Sequence, residues 1–180
     1  MKINSADKSL IIENALCWIV VFGMLVYGFA KIVQFNGAAD LDKTVSELTS
    51  MQLMWAFYGR SQAFAITLGI LEVTSGILIF FRKTRLIGCL LATTILTNII
   101  LQDIFYDVHK GALYAAILYQ SIIFMIFYLH RGAMINAFYS LIDNSYKTNV
   151  NSKFIINLIL AFVLFIIFRI LEYYITIVLL

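Results

Sequence analysis

A chain of 180 residues that is 62% hydrophobic and only 13% charged cannot cover a water-facing surface, because a soluble domain is nearer half apolar and a quarter charged. The composition excludes an ordinary soluble domain and predicts an all-α polytopic membrane protein with membrane lipid as its surroundings. The net charge of +3 comes from basic residues scattered around apolar boundaries; topology explains such a pattern, so no nucleic-acid partner is expected.

Five segments reach the ~20 apolar residues needed to cross the hydrocarbon core. The first runs from about Leu10 to Ile32. Lys2 and Lys8 precede it as in a signal peptide, but the run is too long and lacks a small-residue cleavage site, so it is expected to stay in the mature protein. The connection 33–61 holds a polar turn around Asp40–Glu47 and then the aromatic stretch Met51–Tyr58, suited to an interface. The second span runs from about Gln62 to Phe81, the third from Leu86 to Leu101 and the fourth from Ala112 to Leu129. Ala133 to Ile142 reads as a short amphipathic helix, Asp143 to Ser152 as a polar linker, and Phe154 to Leu180 as a fifth span. The chain contains no Pro, so none of these spans is kinked by one. The domains expected are a four-span bundle over 1–132, an amphipathic segment and linker over 133–153, and an appended transmembrane helix over 154–180.

Lys and Arg placement orients the bundle. Lys2, Lys8, Arg82, Lys83, Arg85, Arg131, Lys147 and Lys153 fall on one side; Lys31, Lys43, Arg60 and Lys110 fall on the other. Eight against four makes the first set cytoplasmic, with the N-terminus inside and the C-terminus outside. The loop Arg82-Lys83-Thr84-Arg85 is the strongest vote.

An ordered set of short elements carries a family resemblance: Tyr27-Gly-Phe-Ala-Lys31, the Phe57-Tyr58-Gly59 element, Gly69-x-x-Glu72, Phe80-Phe-Arg82, Thr84-Arg-Leu-Ile-Gly88, Asn98, and Phe105-Tyr-Asp-Val108 with Lys110. Over residues ~15–130 the chain resembles the DoxX-like family of small bacterial membrane proteins. His109 stands where similar proteins often carry a Pro, and the fifth span lies outside the resemblance. The resemblance implies a four-helix membrane bundle in a bacterial inner membrane. The family takes its name from a quinone-linked sulfur oxidation system, and some distant relatives look like membrane-protein assembly factors.

Glu72 is the most informative residue. It lies about ten residues into its span, ~15 Å deep at 1.5 Å per residue, and a carboxylate at that depth needs a partner, a proton or a purpose. It is either a ligand or proton site or a hydrogen-bonded fastener between helices; Gly69 and Gly76 flank it on roughly the same face. Lys31 is expected to snorkel outward or to pair with Asp103 or Asp107, which lie nearer to it in depth than Glu72 does. Asn98, Gln102, Asp103 and His109, with Lys31, Tyr58, Arg60 and Tyr106, are candidates for lining an outward-opening polar pocket. Arg169 and Glu172 are three apart in the last span and can pair on one helix face; alternatively, Arg169, as the only deep cation, faces Glu72 or a partner subunit.

Other chemistry finds no support. Cys17 and Cys89 lie far apart in apolar segments, without a CxxC or Cys/His cluster, and read as buried small hydrophobes. His109 and His130 fall at opposite membrane faces, where they cannot ligate one haem iron, and no metal site is expected. No nucleophile triad, phosphate loop or dinucleotide fingerprint is present. The leading expectation is a non-catalytic accessory subunit or assembly factor acting through helix contacts with a larger membrane complex or a second copy of itself. The alternative is a protein that binds a quinone-like or lipid-like small molecule near Glu72. Solute transport ranks last, because the cytoplasmic half of the spans reads as nearly all apolar.

Overall fold

The computed structural model describes residues 4–142 and 152–178. Among these the protein is all-α, and five helices are long and apolar enough to cross a bilayer. The linker expected over 143–152 falls outside the described residues except for Ser152. The chain divides into two units, Met1–Arg131 and Gly132–Leu180.

The first unit contains α1 (Ser5–Ala30), a 3-10 turn (Val45–Glu47), α2 (Ser50–Gly59), α3 (Gln62–Phe80), α4 (Arg85–Tyr106) and α5 (Lys110–Leu129). Local chemistry sets the helix starts. Asn4 and Asp7 form a reciprocal capping box at α1, and Thr49 and Gln52 form another at α2, each satisfying amide groups that a helix start leaves unpaired. Ser61 caps α3 by accepting from the Phe64 amide, and His109 Nδ1 caps α5 by accepting from the Ala112 amide at 3.1 Å. The third span runs five residues past its expected end at Leu101. Gln102 and Asp103 are drawn into the bundle, and the helix stops only where Asp107 adopts φ +43°.

α1, α3, α4 and α5 close into a ring in which α1 meets α3 and α5, and α4 meets α3 and α5. The inward face of α1 carries Glu13, Cys17, Val20, Met24 and Gly28, with Lys31 at its C-cap; that of α3 carries Ala65, Gly69, Glu72, Gly76 and Ile79. Both follow the 3.6-residue helical period. The opposite faces, with Phe22, Val26, Ile70 and Ile77, are exposed and apolar, the surface a lipid-facing helix presents. Hydrocarbon competes with core side chains for apolar contact, so close backbone packing and polar contacts must hold such a bundle. A Cβ on Gly28 would stand 2.7 Å from the Gly69 carbonyl oxygen, and one on Gly69 would stand 2.5 Å from that of Gly28. The two glycines therefore let α1 and α3 touch backbone to backbone.

The second unit contains α6 from Gly132 onward (Arg131–Ile142) and α7 (Ser152–Tyr173), which continues as a π-helical turn over Tyr174–Val178. Within α7, Arg169 Nη1 donates to Glu172 Oε2, the pairing that their three-residue spacing allows.

Candidate functional site

A cavity of about 520 Å³ occupies the end of the bundle that carries α2. Its volume lies within the ~300–1,000 Å³ of small-molecule sites. Aromatic and aliphatic side chains form most of the wall, including Tyr27, Phe35, Trp55, Tyr58 and Tyr119. Lys31, Glu72, Asn98, Gln102, Asp103 and His109 supply polar groups.

α2 closes one side of this space. Tyr58 stacks on Phe35, with ring centroids 4.9 Å apart, and on Phe64 at 5.9 Å, while Trp55 meets Phe35 edge-on at 5.5 Å. The Tyr58 hydroxyl donates to Gln102 Oε1 at 2.9 Å, joining α2 to α4. Gln102 in turn donates to Asn98. Burial pushes the Tyr58 hydroxyl above its ordinary pKa, opposed by the Gln102 hydrogen bond. It therefore stays a neutral donor at physiological pH.

Glu72 is only 2% exposed. Lys31 Nζ lies 3.5 Å from its Oε1 and also donates to Gln34 Oε1 at 3.2 Å. This corrects the expectation that Lys31 points to water or to Asp103 or Asp107. Depth counted along single helices placed it too far away, but the Gly28–Gly69 contact brings α1 against α3 and lays the Lys31 stem over Gly69, one turn from Glu72. The same contact corrects the view that Arg169 is the only deep cation available to Glu72. Glu72 Oε2 and Asp103 Oδ2 are buried without a hydrogen-bond partner among the described residues.

Of the residues expected to share one polar pocket, Lys31, Tyr58, Asn98, Gln102, Asp103 and His109 do line it, and the deep candidate Glu72 lines the same space. Arg60, exposed at the C-cap of α2, and Tyr106, exposed at the end of α4, do not. Cys17 and Cys89 are fully buried in the core. No group of three or more potential metal ligands occurs among the described residues.

A second polar cluster at the other end of the ring was missed. Arg85, 3% exposed, donates to Glu13, to Asn14 Oδ1 at 3.0 Å and to the Ile79 carbonyl at 3.3 Å. His130 Nε2 meets Glu13 Oε1 at 3.0 Å. Arg85 is therefore not the loop cation the charge count took it for, and this half of the spans is not uniformly apolar. The overlooked signal was Glu13 itself, a carboxylate entering an apolar run. Core residues Val20, Ile79, Cys89, Ala92 and Ile123 lie between the two polar regions, so they do not form one continuous polar path.

The fold and the cavity define a multi-pass α-helical membrane protein with an internal pocket. No protein-family model matches the chain, and no solved structure does. Over 91 residues it is 26% identical to the Bacillus subtilis (strain 168) uncharacterized protein YwoB; the match covers 49% of this chain and 58% of that protein. The chain thus spans little more than half the length of that relative.

Proposed function

We propose that this protein binds a small lipid-like or quinone-like amphiphile in the α2-covered cavity, with Glu72 and Lys31 orienting its polar group. The observation that carries this is a cavity of about 520 Å³ bordered by a 2%-exposed carboxylate, one oxygen of which has no hydrogen-bond partner among the described residues. A Glu serving only to fasten helices would have both oxygens engaged and packed around, since an unpaired buried polar group is costly. The small-residue contact beside it accounts for helix packing without Glu72. The DoxX-like resemblance supports a redox-associated, quinone-like ligand as one form of this function. The reading extends to a bacterial cytoplasmic membrane with the N-terminus inside: withdrawing the buried Arg85 and Lys31 from the charge count leaves the same majority, and the cavity then faces outward.

Trp55 lines the cavity, whereas Trp18, the other tryptophan, is exposed on α1. In a Trp18→Phe background, short-chain ubiquinone and 4-phenylbutanol should quench or shift Trp55 fluorescence saturably in lipid nanodiscs. Ala116→Phe, which fills the cavity floor, should abolish the effect while leaving the helix content unchanged. An unsaturable response, or one indifferent to Ala116→Phe, rules the proposal out.

A second reading draws on α7. Its membrane-length window has a mean hydropathy of 2.9, yet it carries the Arg169–Glu172 ion pair. An ion pair in hydrocarbon is costly, and a protein neighbour lowers that cost. This favours docking of α7 on a membrane-protein partner or a second copy, the accessory-subunit role. Native purification in mild detergent tests it: Arg169→Leu/Glu172→Leu should release a partner or shift the oligomer, and a wild-type chain that purifies alone as a monomer counts against it.

A further inference from the structure

The cavity's unpaired groups specify what a ligand must bring, and the following rests on the amphiphile-binding reading above. Among the described lining residues the charged side chains are Lys31, Glu72 and Asp103, so one cation faces two carboxylates. His109 Nδ1 is engaged in the α5 cap, where it accepts the Ala112 amide hydrogen. Both orphaned lining oxygens, Glu72 Oε2 and Asp103 Oδ2, are acceptors on side chains more than nine-tenths buried. The carbonyl oxygens of an oxidised quinone offer no hydrogen to these two acceptors, whereas an ammonium does. The aromatic wall already tolerates an ammonium, because Lys31 Nζ stands 5.7 Å from the Phe35 ring centroid. The rings of Tyr27, Trp55, Tyr58 and Tyr119 also line the space, and aromatic faces attract cations most strongly where water is excluded.

We infer that the ligand is a cationic amphiphile, an amine on an aromatic or alkyl body, whose positive charge offsets the second carboxylate while its N–H groups serve the orphaned oxygens. Charge selects it over neutral and anionic molecules of the same shape. Beside two buried carboxylates the effective dielectric is lower than in bulk water, so one unbalanced charge discriminates between ligands of the same shape.

The test compares 4-phenylbutylamine, 4-phenylbutanol and 4-phenylbutyrate, which share one body and differ in the charge of the head. Each is titrated into the full chain in uncharged-lipid nanodiscs, with Trp55 fluorescence in the Trp18→Phe background as the readout. The amine should bind at least tenfold more tightly than the alcohol, and the carboxylate most weakly. Either Asp103→Asn or Glu72→Gln brings the lining to zero net charge and should reduce the amine's advantage over the alcohol to within threefold. If alcohol and amine bind wild type equally well, or the carboxylate binds best, the charge inference is overturned and the amphiphile site stands, with a proton in place of the ligand cation. If none of the three binds saturably, the amphiphile-binding reading itself falls.

Discussion

Lys31 and Glu72 meet across the α1–α3 contact, Nζ to Oε1 at 3.5 Å, with Lys31 drawn inward over Gly69. The pair converts an isolated deep carboxylate into a half-satisfied one, with its second oxygen free beside a cavity. Removing Lys31 should therefore do more than remove a surface charge. Lys31→Met strands Glu72 without its counterion, and breaking a buried pair costs ~3–5 kcal/mol. Thermal unfolding in one detergent should show a large destabilisation for Lys31→Met and substantial recovery in Lys31→Met/Glu72→Gln. Equal melting of the single and double variants would mean that the pair is not coupled.

The glycines on α3 should differ sharply in tolerance. Gly69→Ala drives a Cβ to 2.5 Å from the Gly28 carbonyl oxygen, whereas at Gly76 the nearest atom, the Met24 Cβ, is 3.4 Å away. Overpacking costs ~1–3 kcal/mol, so Gly69→Ala should melt clearly lower than wild type and Gly76→Ala close to it. Separating α1 from α3 should also weaken the coupling between Lys31 and Glu72 measured in a double-mutant cycle.

At the opposite end, two neighbouring arginines should behave differently. Arg85→Ala abandons buried Glu13 and half-buried Asn14 and should destabilise by ~3–5 kcal/mol. Arg82 is exposed, and Arg82→Ala should change unfolding by less than ~0.5 kcal/mol. Denaturant-induced unfolding of the two variants side by side checks this.

The 3-10 turn at Val45–Glu47 should soften in acid. The Thr44 backbone amide donates to Glu47 Oε2 at 2.9 Å and holds that carboxyl below its ordinary pKa. A depressed folded pKa stabilises above the unfolded value, and that contribution is lost as pH falls through the lowered folded value. Hydrogen exchange at Val45–Leu48, corrected for intrinsic rates, should accelerate across that acid window in wild type. In Glu47→Gln it should be flat.

Much of the architecture was legible because a bilayer leaves few choices. Apolar runs of spanning length must become helices, since every backbone group has to be paired within the membrane, and Gln62–Phe80 and Lys110–Leu129 match the expected spans closely. Span ends were less legible: α4 continues through Gln102 and Asp103 because those polar residues face a cavity rather than lipid. Candidate site residues were found where polarity was conspicuous, as at Glu72, Asn98 and Asp103. By sequence Trp55 reads as an interfacial aromatic, and Tyr27 and Tyr119 are not assigned to the site, because an aromatic lining a cavity has the same local sequence as one facing lipid.

The sequence by itself determined that this is an all-helical membrane protein and that Glu72 required an explanation, because composition and span length are one-dimensional properties. Only the tertiary structure decided which charges meet. Depth along a helix does not record how closely two helices approach, and the Gly28–Gly69 contact sets that approach. It brings Lys31 to Glu72, while the ring closure takes Arg85 from an apparent loop position to Glu13 and leaves a cavity beneath α2.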